Sequence, residues 1–226
     1  EGKRVGLNEL IKVSGLNLSD IDSYHLGYIL GPRINAAGRI GSPIDAVKLL
    51  VSENAQVCNS IADILNETNF ERQYMTETGF NEAVSIIGES TNEKILFVAN
   101  EEWHEGIVGL IAGKLNEKYH RPTLVGKRNG EGIKGSARSI PGFNITEALS
   151  KCEKFLDRYG GHELAAGFTI KQGKEKEFSE CIKRVAEDVI TDDMLVKNLN
   201  IDLLLGSESI NREFINVLDK LKPFGY

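Results

Sequence analysis

Cysteine is scarce in this 226-residue chain: Cys58, Cys152 and Cys181 are odd in number, widely spaced, and form no C-x-x-C pair. Such usage argues against a zinc site and fits reduced thiols in a cytosolic protein better than disulfides. No run of about 18 apolar residues occurs, so neither a hydrophobic membrane span nor a secretory signal peptide is expected. Aromatic residues make up only 7%, leaving few surfaces on which bases could stack. Positive charge is not in surplus either. With 27 Lys and Arg against 33 Asp and Glu the net charge is -6, which argues against a uniformly basic coat while leaving room for a local basic groove.

What is present suffices for a packed core, with 41% hydrophobic and 27% charged residues. The chain opens Glu-Gly-Lys-Arg without Met and stops at Pro-Phe-Gly-Tyr, which reads as a piece of something longer. Its first fifty residues look like short helices: "GLNELIKVSG" ending at Gly15, "LSDIDSYHLGYIL" stopping before Gly31-Pro32, and a third opening at Ser42-Pro43. Next, "NAQVCNSIADILNETNFERQYMTETGFNEAVSII" predicts one helix of about 30 residues, polar in its middle, acting as a strut between domains. From residue 94 strands and helices alternate. "KILFVAN", "PTLVGKR", "GIKGSAR" and "AAGFTI" read as strands, with Asn129-Gly130 as a hairpin signal and "LNIDLLL" as a later strand. "GIVGLIAGKLNEKY", "NITEALSKC", "KEKEFSECIKRVAEDVI" and "NREFINVLDKL" read as helices. The expected class is α/β, a mixed sheet flanked by helices and preceded by a long connecting helix.

Four stretches could carry chemistry. "ANEEWHEGIVG" leaves the carboxyl end of a strand and enters a helix, the place where open α/β sheets hold ligands, and it contains His104 and Gly106. Residues 121–142 hold five basic residues against Glu131 alone. On one strand face Lys134, Ser136 and Arg138 would point together, a natural grip on phosphate, although an edge strand guarded by cations would look similar. "GPRINAAGRIGSP" offers Arg33 and Arg39 among small neighbours. In "RYGGHELAAGF", Gly160 and Gly161 strip bulk from the approach to His162, either as a tight turn or as backbone bared for a ligand.

Together "GPRINAAGRI", "EEWHEGIVGLIAGKL", "KGSARSI" and "YGGHELAAGF", in this order, closely resemble the single-strand-specific exonuclease family of the DHH phosphoesterase superfamily. The tail "LKPFGY" resembles the entry to that family's OB-fold domain. The resemblance implies domains at 1–52 (connector from a DHH metal domain), 53–90 (linker helix), 91–192 (DHH-associated domain) and 193–226 (start of the OB fold). It also implies 5′-to-3′ digestion of single-stranded DNA in repair and recombination, with Mn2+ or Mg2+ held by the preceding domain. This sequence has no Asp-His-His, and its histidines at 25, 104, 120 and 162 are scattered, so no metal is expected here and the chain alone should be nearly inert.

Carried onto this chain, the resemblance makes Ser136, Arg138 and Ser139 the phosphate grip, with Gly160 and Gly161 clearing the way to His162. His162 then supports the phosphate side of catalysis, His104 lies nearby, and Arg33 or Arg39 reaches in from the connector. Single-stranded DNA is the implied ligand and a single-strand-binding protein a partner, for a cytoplasmic monomer. Two other readings stay open: a DHH phosphoesterase acting on oligoribonucleotides or cyclic dinucleotides, and a nucleic-acid-binding module without catalysis.

Overall fold

The computed structural model describes residues 4–224. Helix α1 (Val5–Val13) ends ahead of Gly15, whose φ of 72° is the left-handed turn that glycine adopts without strain. After a 3-10 turn (Leu18–Asp20), a π-helical stretch (His25–Leu30) runs unbroken into α2 (Gly31–Ile40). The stop predicted before Gly31-Pro32 is therefore corrected. The wider turn lets Gly31 donate to the Leu26 carbonyl, and Pro32 falls in the first turn of the tighter helix, where a missing N–H costs least. Helix α3 (Pro43–Val51) opens at Ser42-Pro43 as expected.

The long helix is α4 (Ala55–Ile87), 33 residues, with the Asn54 side chain accepting from the backbone N–H groups of Gln56 and Val57. Its first half packs Cys58, Ile61 and Leu65 against Leu10, Leu30 and Leu49. Its second half brings Ala83, with Phe80 and Val84, against Trp103, Ile107 and Ile111. The polar middle faces inward too, with Asn69 only 1% exposed. Helix α4 is thus a wall shared by two cores, and a single compact unit extends through Val196.

The sheet follows: β1 (Leu96–Asn100), helix α5 (Glu105–Tyr119), β2 (Thr123–Asn129), β3 (Gly132–Arg138), helix α6 (Ile145–Lys151), β4 (Leu156–His162), β5 (Ala165–Lys171) and helix α7 (Glu175–Val189). Strand order is β1-β2-β3-β5-β4, with β1 parallel to β2 and the other pairs antiparallel. This is the expected mixed sheet. Leu124, Ile133, Ala137, Phe168 and Ile170 turn one face toward Ile145 and Leu149 of α6 and Phe178 and Ile182 of α7. Val98 and Val125 turn the other face toward α5. Strand β4 was not expected, because "LDRYGGH" lies on the sheet edge, buries only Leu156, and so shows no apolar alternation.

Cys152 and Cys181 form a disulfide with Cα atoms 6.0 Å apart, correcting the expectation of reduced thiols. Their separation of 29 residues hid the pairing, which arises because the end of α6 packs beside α7. Cys58 is free and buried.

A second unit begins at Lys197 and contains α8 (Arg212–Asp219). The strand predicted over "LNIDLLL" is absent among its described residues. Leu199, Ile201 and Leu203 are 88%, 73% and 65% exposed, and an apolar alternation without a neighbouring strand cannot form a ladder. Gly225 and Tyr226 of the tail motif, and residues 1–3 of the expected connector, lie outside the described residues. No helix among the described residues is long and apolar enough to cross a membrane.

Phe178 is fully buried, in ring contact with Phe97 and Phe168. Phe178→Ala should cost about 3–5 kcal/mol of stability, read from the urea unfolding midpoint at unchanged m-value.

Candidate functional site

Strand register decides which side chains can act together, because residues directly opposite one another project to the same face. Arg138 lies opposite Ala165, which lies opposite His162. Ser136 likewise faces Gly167, then Gly160, and Lys134 faces Thr169, then Arg158. Arg138, Ser136, Lys134, Gly160 and His162 therefore share one face, with His162 two strand spacings from Arg138, about 10 Å along the sheet. Helix α5 is the cover at β2 and β3. Beyond it, β5 and β4 form an uncovered floor in which Gly160, His162 and Gly167 are all exposed.

The glycines divide by cause. A Cβ on Gly161 would lie 2.3 Å from the Ala165 carbonyl oxygen, so backbone packing alone requires that glycine. A Cβ on Gly160 would meet nothing within 4 Å, and one on Gly167 would only graze Gly135 at 3.9 Å. Internal packing does not explain these two.

The end of the floor is held from below. The Thr146 hydroxyl donates to the His162 carbonyl at 2.9 Å, and the Ile145 N–H donates to the Glu163 carbonyl at 3.0 Å. The Ser139 N–H donates to the Leu164 carbonyl, and the Ser139 hydroxyl, 8% exposed, donates to the Phe143 carbonyl at 2.6 Å. Ser139 thus fixes the β4–β5 turn from inside.

At the other end of the row is a cleft of about 500 Å³ lined by Gly38, Arg39, His104, Gly109, Ser136 and Arg138, among others. Three elements make it. Helix α5 enters with His104 as N-cap, its Nδ1 accepting from the Gly106 N–H at 3.0 Å, which leaves the ring proton on Nε2. Helix α2 touches it so closely that a Cβ on Gly106 would lie 2.0 Å from the Arg39 carbonyl oxygen. Strand β3 supplies Ser136 and Arg138, which a Cβ on Gly109 would approach at 3.2 and 3.3 Å.

The chemistry is that of an anion site. Arg138 donates to the Ser136 hydroxyl oxygen at 3.0 Å and to the Ala137 carbonyl at 2.8 Å. The Ser136 proton is then directed elsewhere. Arg39 donates to the Gly106 carbonyl at 3.3 Å. Burial, and then the like charge of Arg39, push the Arg138 guanidinium below its ordinary pKa. Glu105, at the mouth, is paired with Lys134 at 2.6 Å. Among the described residues no carboxylate pairs with Arg39 or Arg138, and the positive end of α5 points the same way.

Not every predicted residue is in the cleft. Arg33 donates to the Asn66 side chain at 2.9 Å and to the Ile29 carbonyl at 2.8 Å, tying α2 to α4. Trp103, 3% exposed, anchors its loop by donating to Glu82 at 2.7 Å. Sequence reasoning missed Gly38, whose Cβ would also meet nothing within 4 Å. It also missed Arg72 on α4, a guanidinium that burial, and then the like charge of Arg39, push below its ordinary pKa. Only the folded approach of α2 and α4 reveals either.

Residues 92–188 match the family model of the DHHA1 domain. This stretch is similar to a DHHA1 domain. Over 225 residues the chain is 37% identical to the single-stranded-DNA-specific exonuclease RecJ of Bacillus subtilis (strain 168), covering 98% of this chain and 29% of that protein. Crystal structures of RecJ from Thermus thermophilus in complex with Mg2+ and with Mn2+ each superpose with a TM-score of 0.86 at 26% identity. They cover 99% of this chain and 34% and 33% of those chains. The chain thus spans about a third of the length of the relatives it matches. The matched stretch runs from β1 into α7, and the rest of the cleft, Gly38 and Arg39, comes from the helical part before it.

The metal in those relatives has no counterpart in this cleft. Among the described residues no group of three His, Cys, Asp or Glu side chains converges to hold an ion. Mg2+ and Mn2+ take several oxygen ligands, whereas the one carboxylate lining the cleft, Glu105, is paired with Lys134, and guanidinium and ammonium groups surround it. The described residues of this cleft do not fit the ion.

The two adjacent glycines of β4 should separate packing from exposure. Gly160→Ala is expected to leave stability within about 0.5 kcal/mol of wild type, while Gly161→Ala costs about 1–3 kcal/mol. Thermal unfolding of the two variants side by side checks this.

Proposed function

We propose that this chain is the strand-gripping part of a single-stranded-DNA exonuclease that digests from the 5′ end, acting in DNA repair and recombination. The observation that carries the reading is the convergence of Arg39, Ser136 and Arg138 with the α5 N-terminus on one cleft, with no carboxylate pairing either arginine among the described residues. A phosphodiester chain is the polyanion that such a row of donors fits. Arg39, Ser136 and Arg138 bind a phosphate, for which the 5′-terminal one is the candidate. His104 adds its Nε2 proton at the rim. The bare floor at Gly160 and Gly167 lets the sugar-phosphate backbone lie against the sheet and reach His162, which steadies a phosphate beside the scissile bond.

The similarity to RecJ supports the choice of substrate. Bond cleavage, with Mn2+ or Mg2+, falls to a neighbouring metal-binding domain, and the present residues hold the strand in line for it. The tail from residue 193 leads toward an OB fold in this reading. With a disulfide present, cysteine usage no longer speaks for a cytoplasmic location, and that location rests on the DNA-processing relatives. Action as a monomer and recruitment by a single-strand-binding protein belong to the same reading.

Arg138→Ala should weaken binding of a single-stranded oligonucleotide by about 1.5–3 kcal/mol, the range of a charged hydrogen bond. Fluorescence anisotropy at fixed salt measures it, and unchanged affinity would remove Arg138 from the grip. Wild-type affinity should fall linearly in log K against log salt, because phosphate contacts release counterions. Purified chain given Mn2+ should release no nucleotides from a 5′-labelled strand. Steady release would place a cleavage centre within these residues.

A further inference from the structure

A groove of about 590 Å³ lies between α4 and α5, lined by Arg72, Gln73, Tyr74, Thr76, Leu110 and Lys114 together with Glu77. It adjoins the cleft just described. Gly109 lines the cleft and Leu110, the next residue, lines the groove, so helix α5 is the ridge between them. On that ridge Gly106 is packed against α2 and Gly109 against Ser136 and Arg138, while Gly113 is open. A Cβ on Gly113 would meet nothing within 4 Å, so internal packing does not explain this glycine within a helix either.

The charges in the groove are unevenly spent. Glu77 is paired with Lys114, whose ammonium also lies 4.9 Å from the centre of the Phe80 ring. Arg72 has no carboxylate partner among the described residues. One of its terminal nitrogens donates to the Asn69 side chain at 2.8 Å, while its buried Nε has no hydrogen-bond partner. Asn69, itself 1% exposed, sits in the polar middle of α4 and orients this guanidinium. Gly41, next after α2, lies against Thr68 of α4, where an added Cβ would be 3.3 Å from the threonine methyl. The C-terminal end of α2, which carries Arg39, therefore reaches the same stretch of α4. Tyr74 is 74% exposed, a large aromatic surface left in water at the groove.

We propose that this groove is a second subsite for the same strand, in which Arg72 holds a phosphate and Tyr74 stacks on the base of a nucleotide beyond those gripped in the first cleft. The proposal rests on the strand-binding reading above. A guanidinium and a free aromatic face together suit a nucleotide unit, which carries both an anion and a flat ring. The two hollows are one residue apart along α5, at Gly109 and Leu110, so neighbouring nucleotides of one strand can occupy both. Arg39, within electrostatic reach of both Arg72 and Arg138, adds positive charge to both hollows.

The test uses the full 226-residue chain and 5′-phosphorylated strands of two and of ten deoxythymidines, with binding read by fluorescence anisotropy. Tyr74→Ala and Arg72→Gln should each lower affinity for the ten-nucleotide strand about tenfold and leave the dinucleotide unaffected. Tyr74→Phe, which keeps the ring, should bind as wild type, and Arg138→Ala should weaken both ligands. Tyr74 lies outside the core, so its variant stays informative should Arg72→Gln unfold the chain. Wild-type affinity for the longer strand in both Tyr74→Ala and Arg72→Gln, alongside a loss in Arg138→Ala, would overturn the second subsite and leave the first standing. No binding of either strand by wild type would instead overturn the strand-binding reading, and the subsite with it.

Discussion

The close approach of Gly106 to the Arg39 carbonyl holds this architecture together. Helix α5 shares one core with α4 and the sheet through Ile107, Ile111 and Leu115, and its first turn meets the end of α2 at a distance that no side chain could occupy. Any residue larger than glycine would push the helical part away from the sheet. Arg39 would move with it, because the same backbone segment that makes the contact carries the guanidinium. A packing constraint and the placement of a charge are therefore one event.

Electrostatics explains why that placement matters. Arg39 stands near Arg138 on one side and Arg72 on the other, and both feel it as a like charge. Guanidiniums brought together without carboxylates raise the free energy of the empty protein, and the packing of α2, α4 and α5 must bear that cost. Lys134 and Glu105 neutralise each other at the edge and leave the centre uncompensated. An arriving anion gains what the fold has already spent.

Much of this was legible in the sequence, for identifiable reasons. Alternation and hairpin chemistry marked β2 and β3, so Lys134, Ser136 and Arg138 could be placed on one face before any register was known. The stretches "NITEALSKC" and "NAQVCNSIADILNETNFERQYMTETGFNEAVSII" announced α6 and α4. What failed depended on neighbours. Strand β4 shows no apolar alternation because an edge strand with an uncovered face has little to bury. "LNIDLLL" has the alternation and lacks a partner. That Arg39 lines the cleft while Arg33 is held by Asn66 could not be read from the sequence, because Asn66 is thirty-three positions from Arg33, on the same helix as Arg72. The Cys152–Cys181 pairing required two helices to pack side by side, which no spacing rule expresses.

The β4–β5 turn is pinned from the opposite layer by Ile145, Thr146 and Ser139. Between His162 and Arg138 lies nothing but two rungs of backbone hydrogen bonding, which cannot stretch as side chains can. The row therefore works as a ruler with fixed graduations. In the proposed strand-gripping role, whatever spans it must bring its own flexibility, so adaptation to fit would fall on the bound molecule while the protein keeps the measure.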